Sequence, residues 1–274
     1  MLRKGDLTQG GITGTLLHFT LPMMVGSFLQ QCYNIADTLI VGQCIGAGAL
    51  AAVGSAYTLM VFLISVLLGL AMGSGTVFSL HYGAGNHVAL RRSIFSSFVL
   101  IGIVTLILNV AVFIWIDPIL RLLQVPQDIY GMMRSYLWII FCGIVFTFIY
   151  NFYASLLRAV GDSVTPLWFL AVSVVLNIAL DLFFILQLDW GIQGAAAATV
   201  FAQGVAALGI IIYTYRRRPE LRWHHEDMCF DRTCLKEIAS FSTLTCVQQS
   251  VMNLGILMIQ GLVLSLIHIS EPTR

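Results

Sequence analysis

Apolar residues fill this chain in long runs separated by short polar segments. No Asp, Glu, Lys or Arg occurs between Asp37 and Arg91, between Arg92 and Asp117, or between Arg134 and Arg158. The stretches from Ser163 to Leu180, Trp190 to Tyr215 and Ile238 to Ser270 are also free of charge. The runs do not alternate polar and apolar positions, as the strands of a membrane barrel would. They match the roughly 20 apolar residues that a bilayer-crossing helix needs. Helices are predicted over 14–41, 49–80, 93–116, 133–157, 163–187 and 191–215, with a seventh starting near 237. The second is long enough to tilt, or to break near Gly69 and Gly73.

Composition agrees. Of 274 residues, 58% are hydrophobic and 10% charged, against about 25% charged in soluble proteins. A soluble surface built from so few charges would expose large apolar patches. Lys and Arg number 14 and Asp and Glu 13, so there is no basic excess to release counterions and nucleic acid is not an expected partner. The fold class is therefore an all-α polytopic membrane protein, with the lipid bilayer as its surroundings. No positively charged segment followed by a small-residue cleavage site opens the chain, so no signal peptide is read.

The loop charges orient the spans. If the spans simply alternate, eleven of the Lys and Arg residues, from Arg3 to Lys236, fall on one side, and only Arg121 and Arg134 on the other. Positive charge marks the cytoplasmic side, so the N-terminus is expected in the cytoplasm. The polar segment 216–236 reads as a cytoplasmic linker between a six-helix unit, 1–215, and the start of a second unit, 237–263. LHFTLPMMVGSFLQQ in span 1 recurs loosely as IASFSTLTCVQQSVM after the linker, at an offset of 222. Parallel repeats of this kind are one plan for transporters. Residues 264–274, LSLIHISEPTR, resemble the translation of a sequencing-library adapter. They are expected to be foreign to the natural chain, which would then break inside helix 7.

Two carboxylates interrupt apolar span sequence, Asp37 and Asp181. A charge at the bilayer centre costs about 2.5–3.5 kcal/mol on insertion scales, and such residues usually face a bundle interior and mark ion or proton pathways. Gly26, Gln30, Asn34 and Asp37 recur at helical spacing and are read as one face of span 1. Asn177 and Asp181 form a second i, i+4 pair on span 5, and Asn151 and Thr199 add uncharged oxygens from spans 4 and 6. Amide side chains alone would serve as interhelical glue. Carboxylates in a dry interface would have to stay protonated. The set suits either a hard cation such as Na⁺ or a proton that is taken up and released. Pro22, fifteen residues before Asp37, removes a backbone hydrogen bond and offers a hinge on the same helix.

Four segments resemble the multidrug and toxic compound extrusion (MATE) family and within it the DinF-like branch. They are Asn34-Ile-Ala-Asp37-Thr-Leu-Ile-Val-Gly42 with the Gly- and Ala-rich run to Gly54, Gly83-Ala-Gly-Asn86, Arg158-Ala-Val-Gly-Asp162 with Pro166, and Leu176-Asn-Ile-Ala-Leu-Asp181. The resemblance runs from about residue 12 to 263. It implies a multi-pass protein of a bacterial-type inner (plasma) membrane. The implied whole is a twelve-helix antiporter of two six-helix lobes, which exports organic cations or amphipathic compounds in exchange for Na⁺ or H⁺. On this reading Asp37, Asn177 and Asp181 match a cation site inside the N-terminal lobe, Asn151 and Thr199 its supporting polar residues, and Gln30 and Pro22 the helix-1 positions around it. No cofactor and no resident metal is implied. The partner missing from this chain would be the rest of the C-terminal lobe.

The alternatives are a lipid-linked precursor flippase of related architecture and a non-transporting membrane assembly module. A flippase predicts bases lining the lobe for a phosphate headgroup. No metalloprotease or nucleophile-elbow motif is present to suggest an intramembrane enzyme. Gly83-Ala-Gly-Asn86 reads as a tight turn, and Arg158 and Asp162 as a loop ion pair. His224, His225, Cys229 and Cys234 match no common zinc spacing. Met23, Met24, Phe28 and Phe62 are expected to face lipid or core rather than to line a drug cavity.

Overall fold

The structure is a computed structural model describing residues 12–122, 125–222 and 232–270. Eight α-helices follow one another, with no strand among the described residues. They are α1 (Ile12–Cys44), α2 (Ala47–Gly83), α3 (His87–Leu122), α4 (Gln127–Cys142), α5 (Ile144–Ala159), α6 (Val164–Leu182), α7 (Gly191–Arg217) and α8 (Arg232–Ser270). A π-helical turn, Phe183–Gln187, extends α6, and a 3₁₀ turn, Pro219–Leu221, follows α7. Four of these units, α2, α3, α6 with its π turn and α7, are long and apolar enough to cross a membrane among the described residues. The pair α4 and α5, bent by 46° at Gly143, counts as a fifth. At 33 residues, α1 is roughly 50 Å long, enough to cross as well.

The bend has an identifiable cause. At Gly143 the helical ladder tightens, and its N–H bonds both Ile139 O (3.3 Å) and Ile140 O (2.9 Å). Asn109 of α3 donates to the carbonyl of Phe141 at 2.6 Å, so a carbonyl beside the break keeps a partner. A methyl group at Gly143 would lie 2.4 Å from Val200 of α7, so only glycine lets α7 approach here. The expected long span 4 is thus two helices.

The main core cluster runs chiefly through α2, α3, α4, α5 and α7, and a smaller one, Val77, Cys234 and Ile238, joins α2 to α8. Phe78, Phe98, Phe148 and Phe152 meet in the main cluster with ring centroids 5.3–6.0 Å apart, the range in which tilted aromatic pairs attract. The outer faces remain apolar. Met24, Phe28 and Phe62 are 65%, 70% and 59% exposed, so none of them packs into the core of this unit.

No break occurs near Gly69 and Gly73, because α2 runs continuously to Gly83. These glycines instead admit α8. Methyl groups built on them would lie 2.6 Å from Cys246 Cα and 2.4 Å from Ser242 Cα. Backbones in such close approach are the signature of small-residue crossings in membranes. Ser242 Oγ donates to Leu70 O at 3.3 Å and Cys246 Sγ to Val66 O at 3.4 Å across this crossing. The segment whose sequence echoes span 1 therefore packs on α2, and α8 begins five residues ahead of the expected start.

The turns behave as read, with one correction. Gly85 takes a left-handed conformation (φ +68°), open to glycine at little cost, and Asn86 Oδ1 accepts from Ala89 N at 3.1 Å to cap α3. Asp162 does not pair with Arg158. Its partner is Arg218, at 3.3 Å, past the end of α7, while its two oxygens also accept from Thr165 N (3.1 Å) and Thr165 Oγ1 (2.9 Å) in the first turn of α6. One carboxylate thus caps α6 and anchors the segment leaving α7. Asp162→Ala removes both, and an expected loss of about 2–3 kcal/mol is read as a lowered unfolding midpoint in detergent. Of the four His and Cys residues with metal-like chemistry, His224, His225 and Cys229 lie outside the described residues.

Candidate cation site

The helices α1, α6 and α7 converge where the sequence carries its intramembrane polar residues. Asp37 is 9% exposed, Asn177 1%, Asp181 0% and Thr199 8%. The carboxyl groups of Asp37 and Asp181 face each other within hydrogen-bonding reach. On each, Oδ1 is buried without a hydrogen-bond partner.

The remaining polar atoms form a directed chain. Tyr33 lies against Thr199 Oγ1, its hydroxyl oxygen 3.2 Å away. With the Asn177 amide set to satisfy both its ends, its oxygen accepts from Thr199 N at 3.2 Å and Thr199 Oγ1 at 3.3 Å, and its nitrogen donates to Asp181 Oδ2 at 3.0 Å. Asp181 then meets Asp37, back on the helix that carries Tyr33. The loop runs α1 to α7 to α6 to α1, and each member fixes the next. Tyr33→Phe removes its first link. The expected cost is about 0.5–1.5 kcal/mol, measured as a drop in unfolding midpoint with the fold retained.

Two carboxylates in contact in a dry site cannot both be ionised unless a positive charge lies between them. One proton shared by the pair satisfies that, and so does a monovalent metal ion bonded to the two unpartnered oxygens. Among the described residues, no group of three His, Cys, Asp or Glu side chains is arranged to hold a metal. The oxygens here come instead from two carboxylates, an amide and hydroxyls.

Asp37, Asn177, Asp181 and Thr199 are brought together. Gln30 is exposed. Asn34, partly buried, donates to Gln31 Oε1 at 3.1 Å on its own helix. Helical geometry explains Asn34, which lies about 60° around the helix from Asp37, because each i, i+4 step overshoots a full turn by about 40°. Tyr33 and Asp37, one turn apart, mark the buried face instead, with Gly26 two turns before Tyr33, where a methyl group would lie 3.6 Å from Leu167 of α6. Asn151 donates to Thr147 O at 2.8 Å, within α5, and no hydrogen bond joins it to the four. Pro22 lies inside α1, partly buried, and the helix continues through it.

Two tyrosines of the site were not read from the sequence. Tyr33 sits one turn before Asp37 and was legible from spacing alone. Tyr136 of α4, 4% exposed, lies within electrostatic reach of Asp37, Tyr33 and Asp181. Nothing in its own run of apolar neighbours marks it.

Comparison with known proteins identifies the family. The MatE family profile matches residues 22–183. The chain is 36% identical over 217 residues to the probable multidrug resistance protein YpnP of Bacillus subtilis, covering 79% of this chain and 49% of that protein. It is 31% identical over 210 residues to the multidrug export protein MepA of Staphylococcus saprophyticus, covering 74% of this chain and 45% of that one. A crystal structure of MATE in complex with MaL6 superposes with a TM-score of 0.88 at 24% identity, covering 95% of this chain and 58% of its own. The chain belongs to the MATE family of membrane-spanning, multi-pass transporters. It spans about half the length of the curated relatives it matches.

Proposed function

We propose that this chain is the N-terminal lobe and seventh helix of a cation-coupled efflux antiporter, with a monovalent cation, H⁺ or Na⁺, held between Asp37 and Asp181. The observation that carries this reading is the pair of facing, buried carboxyls whose Oδ1 atoms have no partner. The relatives' names, multidrug resistance and multidrug export, support organic cations or amphipathic compounds as exported substrates. Transport would then need the remainder of a second lobe, and the matched share of the relatives and the span-1 echo in α8 both favour that arrangement. The distribution of Lys and Arg supports a cytoplasmic N-terminus.

In this account the coupling works through α1. Empty, the carboxyl pair repels and pushes α1 from α6; loaded, it holds Asp37 against Asp181 and leaves Tyr33 on Thr199. A cation can shift the equilibrium between two arrangements only by as much as it binds one better. Here that difference is the charge between two carboxylates. Pro22 leaves the carbonyl of His18 without its helical donor, so α1 can bend there at low cost when its lower half is released.

The test is flux. In vesicles carrying a two-lobe transporter completed from this chain, an imposed Na⁺ or pH gradient is expected to drive uphill movement of a cationic dye. Flux that ignores both gradients overturns the reading.

A further inference from the structure

The ends of α2, α3 and α8 enclose a second polar site, far along α2 from the carboxyl pair. A cavity of about 290 Å³ is lined there, among the described residues, by His81, Asn86, Arg92, Cys234 and Glu237. Its chemistry is unbalanced. Arg92 Nε and His81 Nε2 are both buried and neither has a hydrogen-bond partner. Glu237 Oε2 stops 3.6 Å from His81 Nε2, too far for a hydrogen bond. Cys234 is occupied, its sulfur 2.8 Å from Ser93 Oγ. Asn86 Oδ1 is occupied as the cap of α3. Buried nitrogens without acceptors are costly unless something else supplies one.

We propose that this cavity binds a phosphate group, held by Arg92 and His81, at the junction between the six-helix lobe and α8. A guanidinium presents a fork of donors that matches phosphate oxygens. The first turn of α3 borders the cavity through Asn86, and the positive end of its helix dipole favours an anion over a cation there. The cavity lies at the end of α2 opposite the Asp117–Arg134 pair, on the side where the loop bases cluster, where an anionic phospholipid headgroup is the abundant source of phosphate. Free phosphate carries the same chemistry. Glu237 is the built-in competitor. Its carboxylate points at the same histidine, so the ligand and the His81–Glu237 contact exclude each other. Since Glu237 opens α8 and His81 ends α2, an occupied cavity shifts how α8 is held on α2 at that end.

The experiment uses the purified 274-residue chain in detergent and short-chain phosphatidylglycerol as the probe, with phosphatidylcholine as control and affinity read from titrated thermal shifts. Phosphatidylglycerol is expected to bind better than phosphatidylcholine. Arg92→Gln is expected to weaken it by about tenfold, the worth of one charge-assisted hydrogen bond. Glu237→Gln is expected to strengthen it several-fold. A purely structural role for the cavity predicts the reverse, because it would cost Glu237→Gln an ion pair. Inorganic phosphate that competes off the lipid identifies the phosphate alone as the determinant; absence of competition identifies the lipid as the source. Equal binding of the two lipids overturns the proposal, as does unchanged affinity in Arg92→Gln. Should Arg92→Gln fail to fold, Glu237→Gln decides, and affinity that does not rise overturns it.

Discussion

Replacing Asp37 and Asp181 by Asn is expected to erase the response of this protein to monovalent cations while leaving its helices intact. A ligand that binds only the folded state at a hundredfold excess over its dissociation constant adds about 2.7 kcal/mol. For a chain of this size that is roughly 5–10 °C in unfolding midpoint. Each substitution keeps an oxygen in place, so Asn177 Nδ2 retains its acceptor at position 181, and basal stability should fall little or rise as the repulsion is relieved. The informative comparison is between the single variants. If the two carboxyls act as one site, either substitution abolishes the shift and the double variant adds nothing. If each binds separately, the singles retain about half. Unfolding midpoints measured with Na⁺ against choline, and across pH at fixed Na⁺, separate these outcomes and identify the ion.

Gly73→Val is expected to detach α8 from α2. A Cβ at Gly73 would come within 2.4 Å of Ser242 Cα and 2.6 Å of Ser242 N. The obstacle is backbone, so no rotamer change relieves it, and the helices must separate. Overpacking of this kind costs about 1–3 kcal/mol, and here it also breaks the Ser242–Leu70 and Cys246–Val66 hydrogen bonds. Hydrogen exchange should show lost protection over residues 238–250 in α8 with protection in α5 and α7 preserved. Gly54→Ala is the control. It lies in the same helix with nothing within 4 Å of the added carbon, and should be neutral or slightly stabilising. Unchanged protection of α8 in Gly73→Val would show that α8 does not depend on this crossing.

Much of this was legible along the chain. The expected span ends fall within six residues of observed helix ends, because long apolar runs in a membrane satisfy their backbone groups as helices. Asp37, Asn177 and Asp181 announced themselves by cost, as polar groups where polar groups are expensive. What failed was periodicity over distance. The face carrying Asp37 was extended through Asn34 by repeated i, i+4 steps, and the accumulated rotation carried Asn34 away and hid Tyr33. Partners far apart in sequence were also invisible. Asp162 chose Arg218 over the nearby Arg158, because α7 returns its end beside the first turn of α6. Gly69 and Gly73 looked like breaks, since glycine weakens a helix, yet they are contact points whose meaning depends on α8.

The central claim is that Asp37 and Asp181 hold one monovalent cation between them. Infrared difference spectroscopy of the carboxyl stretch tests it most directly, on the purified chain taken from ion-free to ion-loaded conditions by Na⁺ or by acid. The account predicts a change equivalent to one carboxyl group per chain, lost in Asp181→Asn and in Asp37→Asn alike. A spectrum with no carboxyl change on loading, or one that survives in both variants, would contradict it.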